Sequence, residues 1–210
     1  MDLGLSFTYV FDDEEWVKKL LMAAVAALFL FIGWIPLLGW LILIARRVIR
    51  RDPVPLPDWS DLGALFTLGL KGLVIAIVAS LLPVILSLPF VILSAVGNNG
   101  DTLYVIYSVC YGCFSLFYGL ALAFVLPASY GILADTDQLG DALNPSKLIA
   151  LVRAAPSAYL MAFVGGIGAS IVADLGVILC FIGVFFTFAY AAAFMGHLYG
   201  QAYIQASELL

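Results

Sequence analysis

Long apolar stretches separated by short polar segments make up most of the chain. Four of these stretches carry no charged side chain, namely 20–45, 72–100, 102–134 and 154–173. A helix needs about 20 apolar residues to cross a hydrocarbon layer of roughly 30 Å. The hydrophobicity is continuous and does not alternate, so helices are the form that pairs all backbone groups in lipid. The pattern predicts an all-α, polytopic membrane helix bundle.

The polar breaks predict the order of the elements. We expect a single membrane domain over residues 1–210, with about five transmembrane segments and two amphipathic helices at the cytoplasmic face. The transmembrane segments are predicted at about 20–45, 72–96, 102–134, 154–173 and 177–206. The interfacial helices, each with an apolar and a polar face, are predicted at about 58–71 and 144–153. Pro83 and Pro89 should bend the second segment.

The first apolar stretch allows two interpretations. If residues 20–45 cross the membrane once, Pro36 kinks one long helix. In the alternative, the stretch folds back at Trp34-Ile35-Pro36 as a re-entrant hairpin, and both of its ends lie on the same side. Each arm of that hairpin would be too short to cross, so we favour a single crossing.

Basic residues predict the orientation, because cytoplasmic loops are enriched in lysine and arginine. If the segments alternate, seven basic residues fall on one side, and these are Arg46, Arg47, Arg50, Arg51, Lys71, Lys147 and Arg153. We therefore predict a multi-pass protein of the cell membrane with a cytoplasmic C-terminus. A single crossing by the first segment would place the N-terminus outside, although Lys18 and Lys19 oppose that placement.

Composition agrees with a membrane environment. Of the 210 residues, 64% are hydrophobic and 11% are charged, against about 25% charged in soluble domains. The formal net charge of −5 is spread over loops and termini, and no nucleic-acid partner is expected. The acidic run 12–15 precedes the first apolar segment, which is unlike the basic start of a cleaved signal peptide.

Several ordered segments resemble a known family. They are Phe7-Thr8-Tyr9-Val10-Phe11, Trp16-Val17-Lys18-Lys19-Leu20-Leu21, Gly39-Trp40, Arg46-Arg47-Val48, Leu56-Pro57-Asp58-Trp59-Ser60-Asp61-Leu62 and Gly196-His197-Leu198-Tyr199-Gly200-Gln201-Ala202-Tyr203. The chain resembles the prokaryotic integral-membrane family called domain of unknown function 4013, with Val10 standing where that family has proline. The resemblance implies a bacterial or archaeal multi-pass protein and supplies no functional residues, because the family has no assigned activity.

Small residues recur at helical spacing in the last two predicted segments. These helix-packing candidates are Gly165, Ala169, Ala192, Gly196 and Gly200. Small faces let helices approach closely in lipid, either within one chain or between chains. Packing within the chain is the simpler interpretation, and a homo-oligomer is the alternative.

Polar candidates are few. The cluster Arg46, Arg47, Arg50 and Arg51 is a candidate for binding anionic lipid headgroups, although its ordinary role as a topology anchor explains it fully. His197, the sole histidine, is a weak polar candidate that we place near the cytoplasmic end of the last segment.

A cysteine pair and a group of aspartates have the spacing of metal or redox motifs but lack the neighbouring residues that such sites need. Cys110 and Cys113 have the spacing of a redox or metal motif but lie inside an apolar helix, where a structural role is expected. Asp135, Asp137 and Asp141 lack the glycine and glutamate of a calcium loop and read as a solvated acidic loop. We therefore expect no enzyme, no metal site and no cofactor.

The sequence predicts a function only in outline. The leading hypothesis is a non-enzymatic scaffold that works through packing, as a homo-oligomer or as an accessory subunit of a larger membrane complex. A transporter or channel for a small or apolar solute is one alternative, and a lipid-handling protein is another. Membrane lipids, further copies of the chain and other membrane subunits are the expected partners.

Overall fold

Helices form every regular element in the described part of the chain, as the sequence predicts. The computed structural model describes residues 1–29, 32–96, 102–176 and 182–210. The helices are α1 (Leu3–Thr8), α2 (Trp16–Leu28), α3 (Trp34–Ile49), α4 (Leu62–Val96), α5 (Thr102–Thr136), α6 (Leu139–Ala142), α7 (Pro145–Ala154), α8 (Pro156–Leu175) and α9 (Ile182–Ser207). A 3₁₀ turn, Tyr9–Asp12, follows α1.

Three of the described helices are long and apolar enough to cross a membrane. They cover Leu62–Ala95, Thr102–Thr136 and Pro156–Leu175, and correspond to the predicted segments 72–96, 102–134 and 154–173. The last predicted segment, 177–206, corresponds to α9, although its first five residues and the polar turn at 97–101 lie outside the described part.

The first predicted segment does not form one helix. The chain leaves the helical conformation at Phe29 and begins a new helix at Trp34. A Cβ atom on Gly33 would lie 1.7 Å from the carbonyl oxygen of Ala26, so this tight return requires glycine. Pro36 does not kink a long helix, because it lies in the first turn of α3, where an amide hydrogen has no helical acceptor.

The two ends of this stretch meet, so α2 and α3 form a helical hairpin. Lys19 in α2 and Arg47 in α3 both donate to the carbonyl oxygen of Leu56, at 3.0 and 3.4 Å. The arms contain 13 and 16 residues, or roughly 20 and 24 Å at 1.5 Å per residue. Neither arm reaches the roughly 30 Å of a hydrocarbon layer.

The predicted interfacial helices have different outcomes. The segment at 58–71 is no separate helix, because α4 begins at Leu62 and continues to Val96. Asp61 accepts the amide hydrogen of Ala64 at 2.9 Å and so caps α4. The segment at 144–153 does form its own helix, α7, whose cap is Asn144.

The chain divides into two compact units. The first contains Met1–Ile75 and Phe124–Leu210, and the second contains Ala76–Ala123. Both α4 and α5 contribute to each unit, so the single domain over residues 1–210 stays a prediction. In the first unit α9 contacts α1, α2, α3, α7 and α8.

The second unit pairs parts of α4 and α5 through tyrosine hydroxyls. Pro83 has no amide hydrogen, which leaves the carbonyl of Ala79, one turn earlier, without its helical donor. The Tyr118 hydroxyl donates to that oxygen at 2.7 Å, and Tyr111 donates to the Pro83 carbonyl at 3.2 Å. An unpaired backbone carbonyl in lipid costs several kcal/mol. Tyr118 therefore completes backbone pairing where Pro83 interrupts it, and Tyr111 adds a second contact between the two helices.

Candidate functional site

The small face of α9 lies against α3 of the same chain. A Cβ atom on Gly196 would lie 2.6 Å from the carbonyl oxygen of Leu41, and one on Gly200 would lie 2.7 Å from the Cβ atom of Val48. Ala192 is 9% exposed and belongs to the same core. This face is filled within the chain and leaves no room there for a second copy.

The small residues of α8 pack on another side of α9. A Cβ atom on Gly165 would lie 2.3 Å from Leu198 Cδ1, and Ala169 is buried in a cluster with Phe194 and Leu198. A Cβ atom on Gly168, by contrast, would meet no atom of the described chain within 4 Å. The helix-packing candidates are thus contacts between helices of one unit.

The arginine cluster is largely engaged with the protein itself. Arg46 donates to the Ala134 carbonyl at 2.7 Å and pairs with Asp137 at 2.6 Å. Arg47 donates to carbonyl oxygens of the proline-rich connector that follows α3. Arg51 pairs with Glu208 at 2.8 Å, and both side chains are exposed. Arg50 is exposed at the end of α3, so it is the member of the cluster most open to a lipid headgroup.

The acidic residues after α5 make separate contacts. Asp137 joins Arg46 and Lys71, each at 2.6 Å. Asp135 accepts a hydrogen bond from the Tyr203 hydroxyl, and Asp141 pairs with Lys147. Within the described residues no group of three or more His, Cys, Asp and Glu side chains is placed to hold a metal ion.

The cysteine candidates lie on the second unit. Cys110 and Cys113 are both exposed, free thiols on α5. Cys180 lies outside the described residues.

His197 is buried under the N-terminal segment rather than hydrated. Its ring stacks on Tyr9 with centroids 4.3 Å apart, and its Nδ1 atom lies 2.8 Å from Ser6 Oγ. Gln201 accepts from the Asp2 amide through Oε1, and its amide nitrogen lies 3.1 Å from His197 Nδ1.

This cluster docks the start of the sequence on α9. Tyr9 donates to the Ala193 carbonyl at 2.9 Å, and burial raises the pKa of Tyr9 well above its ordinary value. A small cavity of about 190 Å³ lies between Tyr9, His197 and Leu56. Sequence reasoning missed the docking, because Ser6 and His197 are separated by 191 positions.

An apolar groove lies beside α2. It has a volume of about 560 Å³, and its walls include Met22, Val25, Ala26, Phe29, Leu62 and Phe66. The groove lies between one face of the α2–α3 hairpin and the first turns of α4. We call it the apolar groove.

A polar pocket of about 410 Å³ adjoins the apolar groove. Glu15, Lys18, Asp58 and Ser60 line it. Met22 and Trp59 line both cavities. Trp59 is 8% exposed, and its buried indole N–H has no hydrogen-bond partner within the described residues.

A single stripe of α2 runs along both cavities. Glu15, Lys18 and Met22 border the polar pocket, and Met22, Ala26 and Phe29 continue along the apolar groove. The spacing of three and four residues places these positions on one side of the helix. The stripe thus changes from charged to apolar at Met22.

Comparison with known protein families identifies the group to which the chain belongs. A family model described as "Protein of unknown function (DUF4013)" matches residues 22–197. The chain belongs to this family. The match confirms the resemblance carried by the sequence motifs and includes the apolar groove from Met22 to Phe66. No curated protein and no solved structure matches the chain.

The DUF4013 match assigns no role to the groove, because the family is described as of unknown function. Sequence analysis missed the groove because it treated 20–45 as one crossing. A usable signal was present in α2, where Glu15 and Lys18 are followed by Met22, Ala26 and Phe29 on the same face.

Proposed function

We propose that this protein is a non-enzymatic membrane protein that binds a lipid in the apolar groove. The observation that carries the proposal is the junction of a 560 Å³ apolar groove with a 410 Å³ polar pocket. Ligand sites commonly have volumes of about 300–1,000 Å³ and combine apolar walls with a few polar groups. A lipid has the matching division into an acyl chain and a headgroup.

A lipid that moves from the bilayer or detergent into the groove gains free energy mainly from close packing of its acyl chain against the groove walls. In water each buried CH₂ contributes about 0.8 kcal/mol, but inside a bilayer this term largely cancels, because the chain is already in hydrocarbon. Selective retention then depends on close contact with the groove walls and on the polar pocket. We therefore expect specific lipids to persist through purification and bulk lipids to exchange.

The distribution of basic residues supports an orientation for this site. All nine lysines and arginines fall on one side if the hairpin returns and α4, α5, α8 and α9 each cross once. The contact of Asp2 with Gln201, near the end of α9, agrees with this arrangement. We propose a cell-membrane protein with both ends cytoplasmic, which replaces the outside N-terminus favoured from sequence. The polar pocket then opens towards the cytoplasmic leaflet.

The scaffold hypothesis loses its main structural support. Gly196 and Gly200 are covered by α3, so the small face that suggested a homo-oligomer is used within the chain. An accessory role in a larger complex would have to use other surfaces of the protein. A transport role rested on the proline-broken helix, where Tyr118 satisfies the Ala79 carbonyl that a substrate would otherwise contact.

Lipid retention tests the proposal directly. We would purify the full chain in a mild non-ionic detergent and measure bound lipids by native mass spectrometry. Ala26→Trp places a large side chain in the apolar groove and should reduce retained lipid at least fivefold. Leu21→Trp is the matched control, because Leu21 lies on the same helix, is 46% exposed and is absent from the groove walls. Equal retention by wild type and Ala26→Trp, with both folded, would overturn the proposal.

A further inference from the structure

Only some of the charged side chains around the polar pocket are free to contact a ligand. Lys19 borders the pocket, but its ammonium pairs with Asp13 at 2.5 Å and donates to the Leu56 carbonyl at 3.0 Å. Lys19 and Asp13 are each 9% exposed. Each charge neutralises the other. A ligand that drew Lys19 away would leave the Asp13 carboxylate buried and unpaired, which is strongly destabilising. Lys19 is therefore not a free cation for a ligand.

Three exposed charges are left at the pocket. Lys18 and Glu15 lie 3.3 Å apart one turn of α2 from each other, with side chains 73% and 58% exposed. Asp58 also lines the pocket, from the turn before α4. The pocket thus offers two carboxylates and one ammonium.

Asp58 is held as a carboxylate by its own turn. The Ser60 hydroxyl and the Ser60 amide both donate to Asp58 Oδ1, the amide at 2.9 Å. The Ser60 side-chain hydrogen bond lowers the pKa of Asp58. The second oxygen, Oδ2, has no such donor from Ser60 and is available to a cationic ligand.

From these contacts, we propose that the polar pocket selects phospholipids with a zwitterionic headgroup that ends in a primary ammonium, as in phosphatidylethanolamine. The inference rests on the proposed function. Lys18 meets the phosphate, and Asp58 with Glu15 meets the ammonium. Lys19 and Arg47 are both engaged by the Leu56 carbonyl. An anionic headgroup without an ammonium would therefore face two carboxylates and one further cation, Lys18, so it fits the charge pattern less well.

Arg47 and Lys19 also attract the Asp58 carboxylate electrostatically, but both are hydrogen-bonded to the Leu56 carbonyl of the connector. Arg46 and Arg47, which the sequence suggested as sites for anionic headgroups, donate to Asp137 and to carbonyl oxygens elsewhere in the unit. Neither arginine lines the polar pocket or the apolar groove. Trp59, at the junction of the two cavities, carries an indole N–H for which a lipid ester oxygen is a suitable acceptor.

A headgroup competition tests the inference. Delipidated full-length protein would receive equal amounts of dioleoyl phosphatidylethanolamine, phosphatidylglycerol and phosphatidylcholine, and native mass spectrometry would count each bound species. Exposed ion pairs contribute up to about 1 kcal/mol, so we expect phosphatidylethanolamine to exceed phosphatidylglycerol by about fivefold. It should also exceed phosphatidylcholine, whose quaternary ammonium has no hydrogen to donate to Asp58.

Variants separate this inference from the proposed function. Asp58→Asn keeps an acceptor for Ser60 but removes the charge, and should reduce the preference over phosphatidylglycerol to less than twofold. Asp52→Asn removes a carboxylate from an exposed position outside the pocket and should keep the preference. Equal retention of all three lipids by wild type, lost in Ala26→Trp, would overturn the headgroup inference and support the groove. Retention of none by folded wild type would overturn the proposed function itself.

Discussion

The Tyr118 hydroxyl donates a 2.7 Å hydrogen bond to the carbonyl oxygen of Ala79. This is the oxygen that Pro83 leaves unpaired, so the contact joins α4 and α5 where the helical ladder is interrupted. The sequence suggested a broken helix with backbone open to a substrate, and the hydroxyl instead closes that opening.

Removal of this hydroxyl should destabilise the second unit. We expect Tyr118→Phe to lower the free energy of unfolding by about 1–3 kcal/mol, because a part-buried carbonyl acceptor loses its donor. In a Pro83→Ala background the alanine amide can pair with the Ala79 carbonyl, and the same change should cost less. Unfolding in mixed detergent micelles measures both values. Equal costs in the two backgrounds would contradict the assignment of Tyr118 to the proline-freed carbonyl.

Bulk on the small face of α9 should disrupt the α3–α9 contact. We expect Gly196→Leu and Gly200→Leu to lower the free energy of unfolding by about 1–3 kcal/mol or more, because each side chain would overlap α3. Gly168→Leu is the control, since its Cβ position is open. Thermal unfolding and native gels should report instability without a change of oligomer. Intact stability with a dissociated oligomer would instead place this face between chains.

Asp137 should make stability depend on pH. Hydrogen bonding from Lys71, with a further contribution from Arg46, lowers the pKa of Asp137. A lowered folded-state pKa stabilises the fold above the unfolded-state pKa of about 3.9 and loses that effect as pH falls through the folded-state pKa. Asp137 is 52% exposed, so solvent limits the effect to about 1 kcal/mol.

Comparison of wild type with Asp137→Asn measures this dependence. The variant should melt at a lower temperature than wild type at pH 7, and the two should converge as pH falls below about 4. Asp52→Asn, at an exposed position after α3, should show no such convergence. A difference that stays constant from pH 7 to pH 3 would contradict an ionic role for Asp137.

Accessibility from each side of the membrane should distinguish the hairpin from a single crossing. In a background with all three cysteines changed to Ala, cysteines at Asp12 and Ser146 should react with an impermeant reagent only from the cytoplasmic side. Ile32→Cys, at the tip of the hairpin, should stay unlabelled from the outside, because the arms are too short to cross. Labelling of the Asp12 position in intact cells would contradict the hairpin and support a single crossing by residues 20–45.

The sequence predicted most helices but not the break in the first apolar stretch. Continuous hydrophobicity identifies a helix in lipid and carries no information on where it turns back. The turn depends on Gly33 approaching the Ala26 carbonyl and on Lys19 and Arg47 sharing the Leu56 carbonyl. These are tertiary contacts, and the periodicity of a single segment does not encode them.

The candidate site was less predictable for the same reason. The apolar groove combines residues of α2 with Leu62 and Phe66 of α4. The charged-to-apolar face of α2 does not by itself show that α4 forms the other wall. His197 was placed near water because it lies towards the end of a segment. In the structure His197 is buried under Tyr9 and Ser6. These two residues belong to the N-terminal segment, which is too polar to be predicted as part of the membrane core.

The α3–α9 contact also has a consequence for synthesis. Leu41 is translated more than 150 residues before Gly196, the glycine that allows α9 to approach the Leu41 carbonyl closely. The hairpin therefore leaves the ribosome long before the helix that covers it. Throughout that interval the α3 surface that later receives α9 is open to chaperones and to other nascent helices. A stop in translation before α9 would leave that surface permanently uncovered, and we expect such truncated chains to be degraded rather than retained in the membrane.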